Sequence, residues 1–175
     1  MTSTLPTVLR AIPRSLCAAL LCLALLPTNA LAAKPLVYCA EASPEGFDPG
    51  LWDSASTNTA TGQMFQGLVG FKRGGTTIEP LLATSWVISP DAKTFTFTLR
   101  KGVNFHKTPY FTPTRTLNAD DVMFTFGRFL NSKHPFNIAF PANFIYPQNL
   151  GLAKMVERLE KVDDMTVRLQ LAEPN

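Results

Sequence analysis

From Thr94 to Leu99 apolar and polar residues alternate strictly, putting Phe95, Phe97 and Leu99 on one face and three threonines on the other. That is the period of a half-buried β-strand. Trp86 to Ile88 precede it across Ser89-Pro90-Asp91-Ala92-Lys93. Proline at the second position followed by aspartate is turn chemistry, so a β-hairpin is predicted here. Val167, Leu169 and Leu171 alternate in the same way, with Asp163-Asp164 as a turn before them. Leu152, Met155, Val156 and Leu159 have helical spacing, which leaves 156–162 open between a helix end and the first arm of a hairpin. The strongest helical pattern opens at Asn118: Val122, Phe126, Phe129 and Leu130 repeat at i, i+4, i+7 and i+8. Asn118 suits an N-cap, and Asp120 and Asp121 stand where negative charge meets the positive end of the helix. A second helix is predicted over 57–71 from the stripe Met64, Phe65, Leu68 and Val69, capped by Thr57 or Asn58, with Gly67 and Gly70 weakening its end. Leu36 to Ala40 is a short apolar run before the turn-rich stretch 43–50, the pattern of a buried strand entering an ordered loop. Residues 131–150, with Phe136, Phe140, Phe144 and Tyr146 among Pro and Asn, read as a long loop.

Not all of the 175 residues belong to the fold. Arg10 and Arg14, the apolar run Leu16 to Leu26, Pro27 and the small residues of Ala30-Leu31-Ala32 predict a cleaved secretory signal over 1–32. The apolar run is well short of the roughly 20 residues a membrane span needs. Such a signal implies export from the cytoplasm. Without Arg10 and Arg14 the formal charge of +3 falls to +1, and no basic run exceeds two residues. A nucleic-acid binder would need clustered Lys and Arg. Of the three cysteines, Cys17 and Cys22 lie in the signal, leaving Cys39. An odd cysteine in an exported chain is a free thiol, half of a disulfide, or a lipid-anchor site. The last would need small residues before it, and Val37-Tyr38 are too large.

Chemistry is sparse. His106, at the end of a third apparent strand, and His134, in the long loop, have no second ligand at metal spacing, and a surface or packing role accounts for both. No nucleophile elbow, phosphate loop or Cys-x-x-Cys occurs, so no enzyme and no cofactor is predicted. The acidic pair Asp120-Asp121 could be a metal or acid/base dyad, but helix capping explains both residues. Thirteen Phe, three Tyr and two Trp are compatible with a ring-lined cleft for a small molecule.

Three stretches carry a resemblance. They are Leu36-Val-Tyr-Cys-Ala-Glu-Ala-Ser-Pro-Glu-Gly-Phe-Asp-Pro49, Thr94-Phe-Thr-Phe-Thr-Leu-Arg-Lys-Gly-Val-Asn-Phe-His106 and Leu117-Asn-Ala-Asp-Asp-Val-Met-Phe-Thr-Phe126. In order and spacing the chain resembles the family 5 extracellular solute-binding proteins of peptide and nickel importers. The first stretch is most similar to the dipeptide-binding branch. The resemblance implies a mixed α/β, two-lobed periplasmic binding protein, of which this chain holds an N-terminal part: the start of lobe I over 33–63 and a β-rich extra domain over 64–175. It implies a monomer that takes a dipeptide or short peptide, or haem or another solute as some relatives do, and passes it to the permease subunits of an ABC importer. The loop lining the peptide cleft corresponds to Asp53, Ser54 and Ala55, and Asn143 to a second approach to it. The family usually has a hydroxyl residue where Asp53 stands and a glycine where Ala55 stands, so Asp53 bears on ligand preference. The charged residues holding both ends of the peptide, and a partner for Cys39, would lie beyond Asn175.

Two readings from other classes compete. A small secreted interaction module acting alone fits the length, and a secreted hydrolase fits poorly because no nucleophile–base pair is visible. Continuation of the reading frame into more of the same family separates the binding protein from the module.

Overall fold

A computed structural model describes residues 37–174. The predicted signal over 1–32 and the start of the apolar run at 36–40 lie outside them. The chain divides into a unit ending at Cys39 and a second from Ala40 onward. Of the first, Val37, Tyr38 and Cys39 are described, and all are exposed. The strand expected at 36–40 is not formed over its described residues, which belong to no sheet. An extended segment becomes a strand only by joining a ladder.

The second unit is mixed α/β. Strands β3 (Ala83–Ile88), β4 (Thr94–Leu99), β5 (Val156–Asp163) and β6 (Thr166–Leu171) build a four-stranded antiparallel sheet of order β3-β4-β6-β5. A short hairpin, β1 (Val69–Phe71) with β2 (Ile78–Pro80), leads into it. The turn between β3 and β4 forms as predicted: the Ser89 N–H donates to the Thr94 carbonyl at 2.9 Å, and Asp91 Oδ1 accepts from the Lys93 N–H at 3.1 Å. The ambiguity at 156–162 resolves to strand. Leu159 pairs with Leu169 and Lys161 with Val167, and only Leu152–Met155 before them is helical (α5). The strand expected to end at His106 is absent: residues 103–107 are irregular and His106 is exposed.

The core lies between one face of this sheet and helix α2 (Ala119–Leu130). Leu99, Leu117, Ala119, Val122 and Val167 are buried together, with Phe97, Phe126, Val103 and Met165 packed on them. The apolar face of β4 meets the apolar stripe of α2, as the two periodicities require. The other face carries Thr94, Thr96 and Thr98 beside Arg168 and Gln170, side chains that water can solvate.

Asn118 is the N-cap of α2. Its side chain accepts from the Asp120 N–H at 3.0 Å, and its own N–H donates to Asp121 Oδ2 at 2.9 Å, closing a capping box. Arg115 forks onto both Asp121 oxygens at 2.7 and 2.9 Å. Asp120 instead meets the Lys161 ammonium at 2.9 Å, which ties the helix start to β5. Capping and pairing thus account for both carboxylates, and no cluster that could hold a metal occurs among the described residues. Burial pushes the Asp121 carboxyl up, but Arg115 and the Asn118 N–H outweigh it and hold it below its ordinary 3.8. A depressed carboxyl contributes stability that is complete above the ordinary value and is lost as pH falls through the folded value. We expect Asp121→Asn to cost on the order of 1 kcal/mol in urea unfolding at neutral pH. The gap to the unmutated chain should close as the pH is taken below 3.8. A gap that stays constant with pH would contradict the assignment.

The first helix departs from its expected bounds. α1 spans Ala55–Met64, capped by Ser54, and its buried positions are Thr57 and Thr61. Met64 and Phe65 are half exposed, and Val69 belongs to β1. Hydroxyl chemistry outweighs the apolar stripe. Thr57 Oγ1 accepts from the Glu45 N–H and the Ser54 hydroxyl at 3.1 and 3.0 Å, and the Thr61 hydroxyl donates to the Thr57 carbonyl at 2.9 Å. Buried hydroxyls are tolerated when paired in this way. The long loop also acquires structure, as α3 (Pro135–Ala139) and α4 (Ile145–Asn149). His134 caps α3 by accepting from the Phe136 N–H at 3.2 Å and packs edge-on to Phe124.

Candidate functional site

The residues expected to line a ligand cleft fall in two segments far apart in sequence. The first is the loop 46–54 with the start of α1, and the second runs from α3 to the end of α4. Asp53 is exposed just before the Ser54 cap, and Ala55, the first residue of α1, is also exposed. Ser54 is committed to the helix: its hydroxyl donates to Thr57 Oγ1 at 3.0 Å and accepts from the Thr57 N–H at 3.4 Å. A ligand would therefore meet Asp53 and the Ala55 surface more readily than the Ser54 hydroxyl. Asn143 is exposed between α3 and α4, where its Oδ1 accepts from the Gln148 amide at 2.6 Å.

The two segments meet. The Asn149 amide, at the end of α4, donates to the Asp53 carboxylate across 96 positions of sequence. Asp53, Asn149, Gln148 and Asn143 thus bring together exposed polar groups from both segments. They offer amide donors and acceptors and one carboxylate, which is bonded to a neutral side chain. That set can bind the amides of a peptide backbone or attract a cationic group. It contains no nucleophile–base pair for covalent chemistry.

Beneath these groups the loop is anchored to α2. Asp48 Oδ1 accepts from the Gly50 N–H at 2.9 Å and the Asp48 carbonyl from the Leu51 N–H at 3.1 Å, a tight turn around Pro49. Gly50 lies against the Phe129 ring, where an added Cβ would come within 2.7 Å of Cζ, so only glycine fits without displacing the ring. Arg128 pairs with Asp48 at 2.8 and 3.3 Å. Its guanidinium carbon stands 4.9 Å from the Phe129 ring centre and 5.2 Å from that of Phe144. Beside the pair opens a hollow of about 290 Å³ walled by Leu51, Phe136, Phe140 and Phe144. Asp48, Arg128, Gln148 and Asn149 are additions to the expected set. The only sequence signal for any of them is the Asp-Pro-Gly turn at 48–50, and nothing in spacing links that turn to Arg128. Cys39 is exposed and forms no disulfide among the described residues.

The family described as bacterial extracellular solute-binding proteins, family 5 Middle, matches residues 77–175. The chain is 51% identical over 143 residues to di/tripeptide-binding protein 3 of Pseudomonas aeruginosa (strain UCBPP-PA14), covering 81% of this chain and 27% of that protein. It is 46% identical over 136 residues to heme-binding protein A of Haemophilus influenzae, covering 77% of this chain and 25% of the relative. Among solved structures it superposes on the dipeptide-binding protein from Pseudoalteromonas sp. SM9913 in complex with Met-Leu, with a TM-score of 0.72 and 42% identity over 78% of this chain and 27% of that one. The chain thus spans about a quarter of the length of these relatives.

Proposed function

Because the chain belongs to the bacterial extracellular solute-binding proteins of family 5, we propose that it is part of the periplasmic component of an ABC importer that captures dipeptides and short peptides. In this reading the protein is not an enzyme. It is exported by a signal cleaved after Ala32, binds its ligand as a monomer and presents it to the permease subunits. Residues 33–63 begin lobe I and residues 64–175 form the extra domain. Asp53, Ser54, Ala55 and Asn143 form one wall of the peptide site.

The observation that carries this is the junction of the loop at 53–55 with α4 through Asp53 and Asn149. It gathers peptide-compatible amides and a carboxylate in an exposed polar wall, from residues 96 positions apart. The likeness to a structure bound to Met-Leu supports a dipeptide as ligand. The haem-binding relative supports a second ligand class. His134, the histidine nearest this region in sequence, is engaged as the cap of α3, which favours the peptide.

The reading is tested by deleting the coding sequence in a leucine auxotroph of the source bacterium. Growth on Met-Leu should be lost and growth on free leucine retained. Undiminished uptake of labelled Met-Leu in the deletion strain would overturn it.

A further inference from the structure

We propose that Arg128 is the positioning residue of this site, fixing both ligand-facing segments to the frame of the sheet. The proposal rests on the reading of Asp53 to Ala55 and Asn143 as ligand-facing.

Arg128 lies near the end of α2, the helix whose Ala119 and Val122 are buried against the sheet. Two parts of the residue, the guanidinium and the backbone carbonyl, reach the site segments. Two guanidinium nitrogens donate to the two oxygens of Asp48, and Asp48 organises the turn that runs directly into Asp53. The backbone carbonyl accepts from the Asn137 amide at 2.8 Å, holding α3 against the end of α2. The guanidinium also stands over Phe144, adjacent to Asn143, and 5.7 Å from the ring of Phe136.

The arrangement suits arginine and no other cation. Its planar fork matches a carboxylate while its faces stack on rings, and a lysine ammonium does neither. The side chain is 13% exposed and that of Asp48 31%, so water competes less for this pair than for an exposed one. Removing either partner leaves a largely enclosed charge unpaired, which favours opening of the loop. Residues 80 apart are coupled in this way through the pair itself.

The test needs no ligand. Backbone amide exchange is followed by NMR on the chain, in the unmutated form and as Arg128→Gln, Asp48→Asn and Arg128→Lys. In the first two variants, exchange at Gly50, Leu51 and Thr57 should rise by about tenfold or more through local opening. The Ser54, Ala55 and Asn143 amide resonances should move. Exchange at Leu99 and Ala119, whose N–H groups bond Met165 and Asp164, should stay within about twofold. Arg128→Lys should restore part of the protection. Equal acceleration at every amide would mean that the pair only contributes to global stability, and no change at the loop would mean that it positions nothing. Either result overturns the proposal. If Arg128→Gln does not fold, Asp48→Asn, which keeps the side-chain shape, still decides it. A failure to bind peptide would count against the peptide-site reading and leave these exchange results standing.

Discussion

Leu99→Ala should destabilise the fold by about 2–5 kcal/mol, the range for removing a large aliphatic side chain from a well-packed core. Leu99 is 2% exposed and closes β4 at the point where sheet and helix meet. Its side chain belongs to the cluster of Leu117, Ala119, Val122 and Val167. Its N–H donates to the Met165 carbonyl at 2.7 Å, so the backbone around it is held and relaxes little into the space left behind. A cavity that cannot collapse keeps its full cost. Thr98→Ala, one residue away on the exposed face, should stay within about 0.5 kcal/mol. Urea unfolding of both variants checks this. Similar losses at the two positions would mean that the core is not where the structure puts it.

Most of the fold was legible where local chemistry and tertiary packing agree. The alternation in Thr94 to Leu99 and the Ser-Pro-Asp turn specified the β3–β4 hairpin together. Asn118 with its first-turn acids specified the start of α2, although nothing local pointed to the partners of those acids, Arg115 and Lys161. The misreadings arose where hydrophobicity and hydrogen bonding compete. Met64, Phe65, Leu68 and Val69 suggested a helical stripe, yet α1 is held by Ser54, Thr57 and Thr61, and the chain turns to strand at Val69. Polar residues that bury themselves by pairing with one another leave no trace in a hydrophobic pattern. The described part of the run, 37–40, joins no sheet for the opposite reason: it is apolar enough, but a strand exists only with a neighbour.

The candidate site was legible in part. Asp53, Ser54, Ala55 and Asn143 came from resemblance, and the structure links the segments that carry them through Asn149. Arg128 could not have been found, because its meaning depends on Asp48, 80 residues away. Within α2 it is one more basic residue near a helix end, where a cation is ordinary.

In the proposed reading these residues make one wall rather than a closed site, and this sets the expected affinity. A millimolar dissociation constant needs about 4 kcal/mol. Exposed Asp53 can meet a peptide ammonium, but an exposed ion pair contributes only about 0–1 kcal/mol. The Gln148 amide already donates to Asn143 Oδ1 and the Asn149 amide to Asp53, and the other polar atoms of these exposed side chains face water, so a peptide exchanges bonds rather than adding them. Each exchange is worth about 1 kcal/mol at most. Arg128 is engaged by Asp48 and is not free for the peptide carboxylate. Set against the cost of association, these contributions leave weak binding.

The central claim is that these residues form one wall of a peptide site, and titrating Met-Leu into the isotope-labelled chain while following backbone amides tests it most directly. The account predicts shifts confined to Asp53–Ala55 and Asn143–Asn149, with a dissociation constant weaker than about 1 mM. Micromolar binding would contradict it by placing a whole site within this chain, and shifts concentrated elsewhere, or none at saturating peptide, would contradict it by removing the wall.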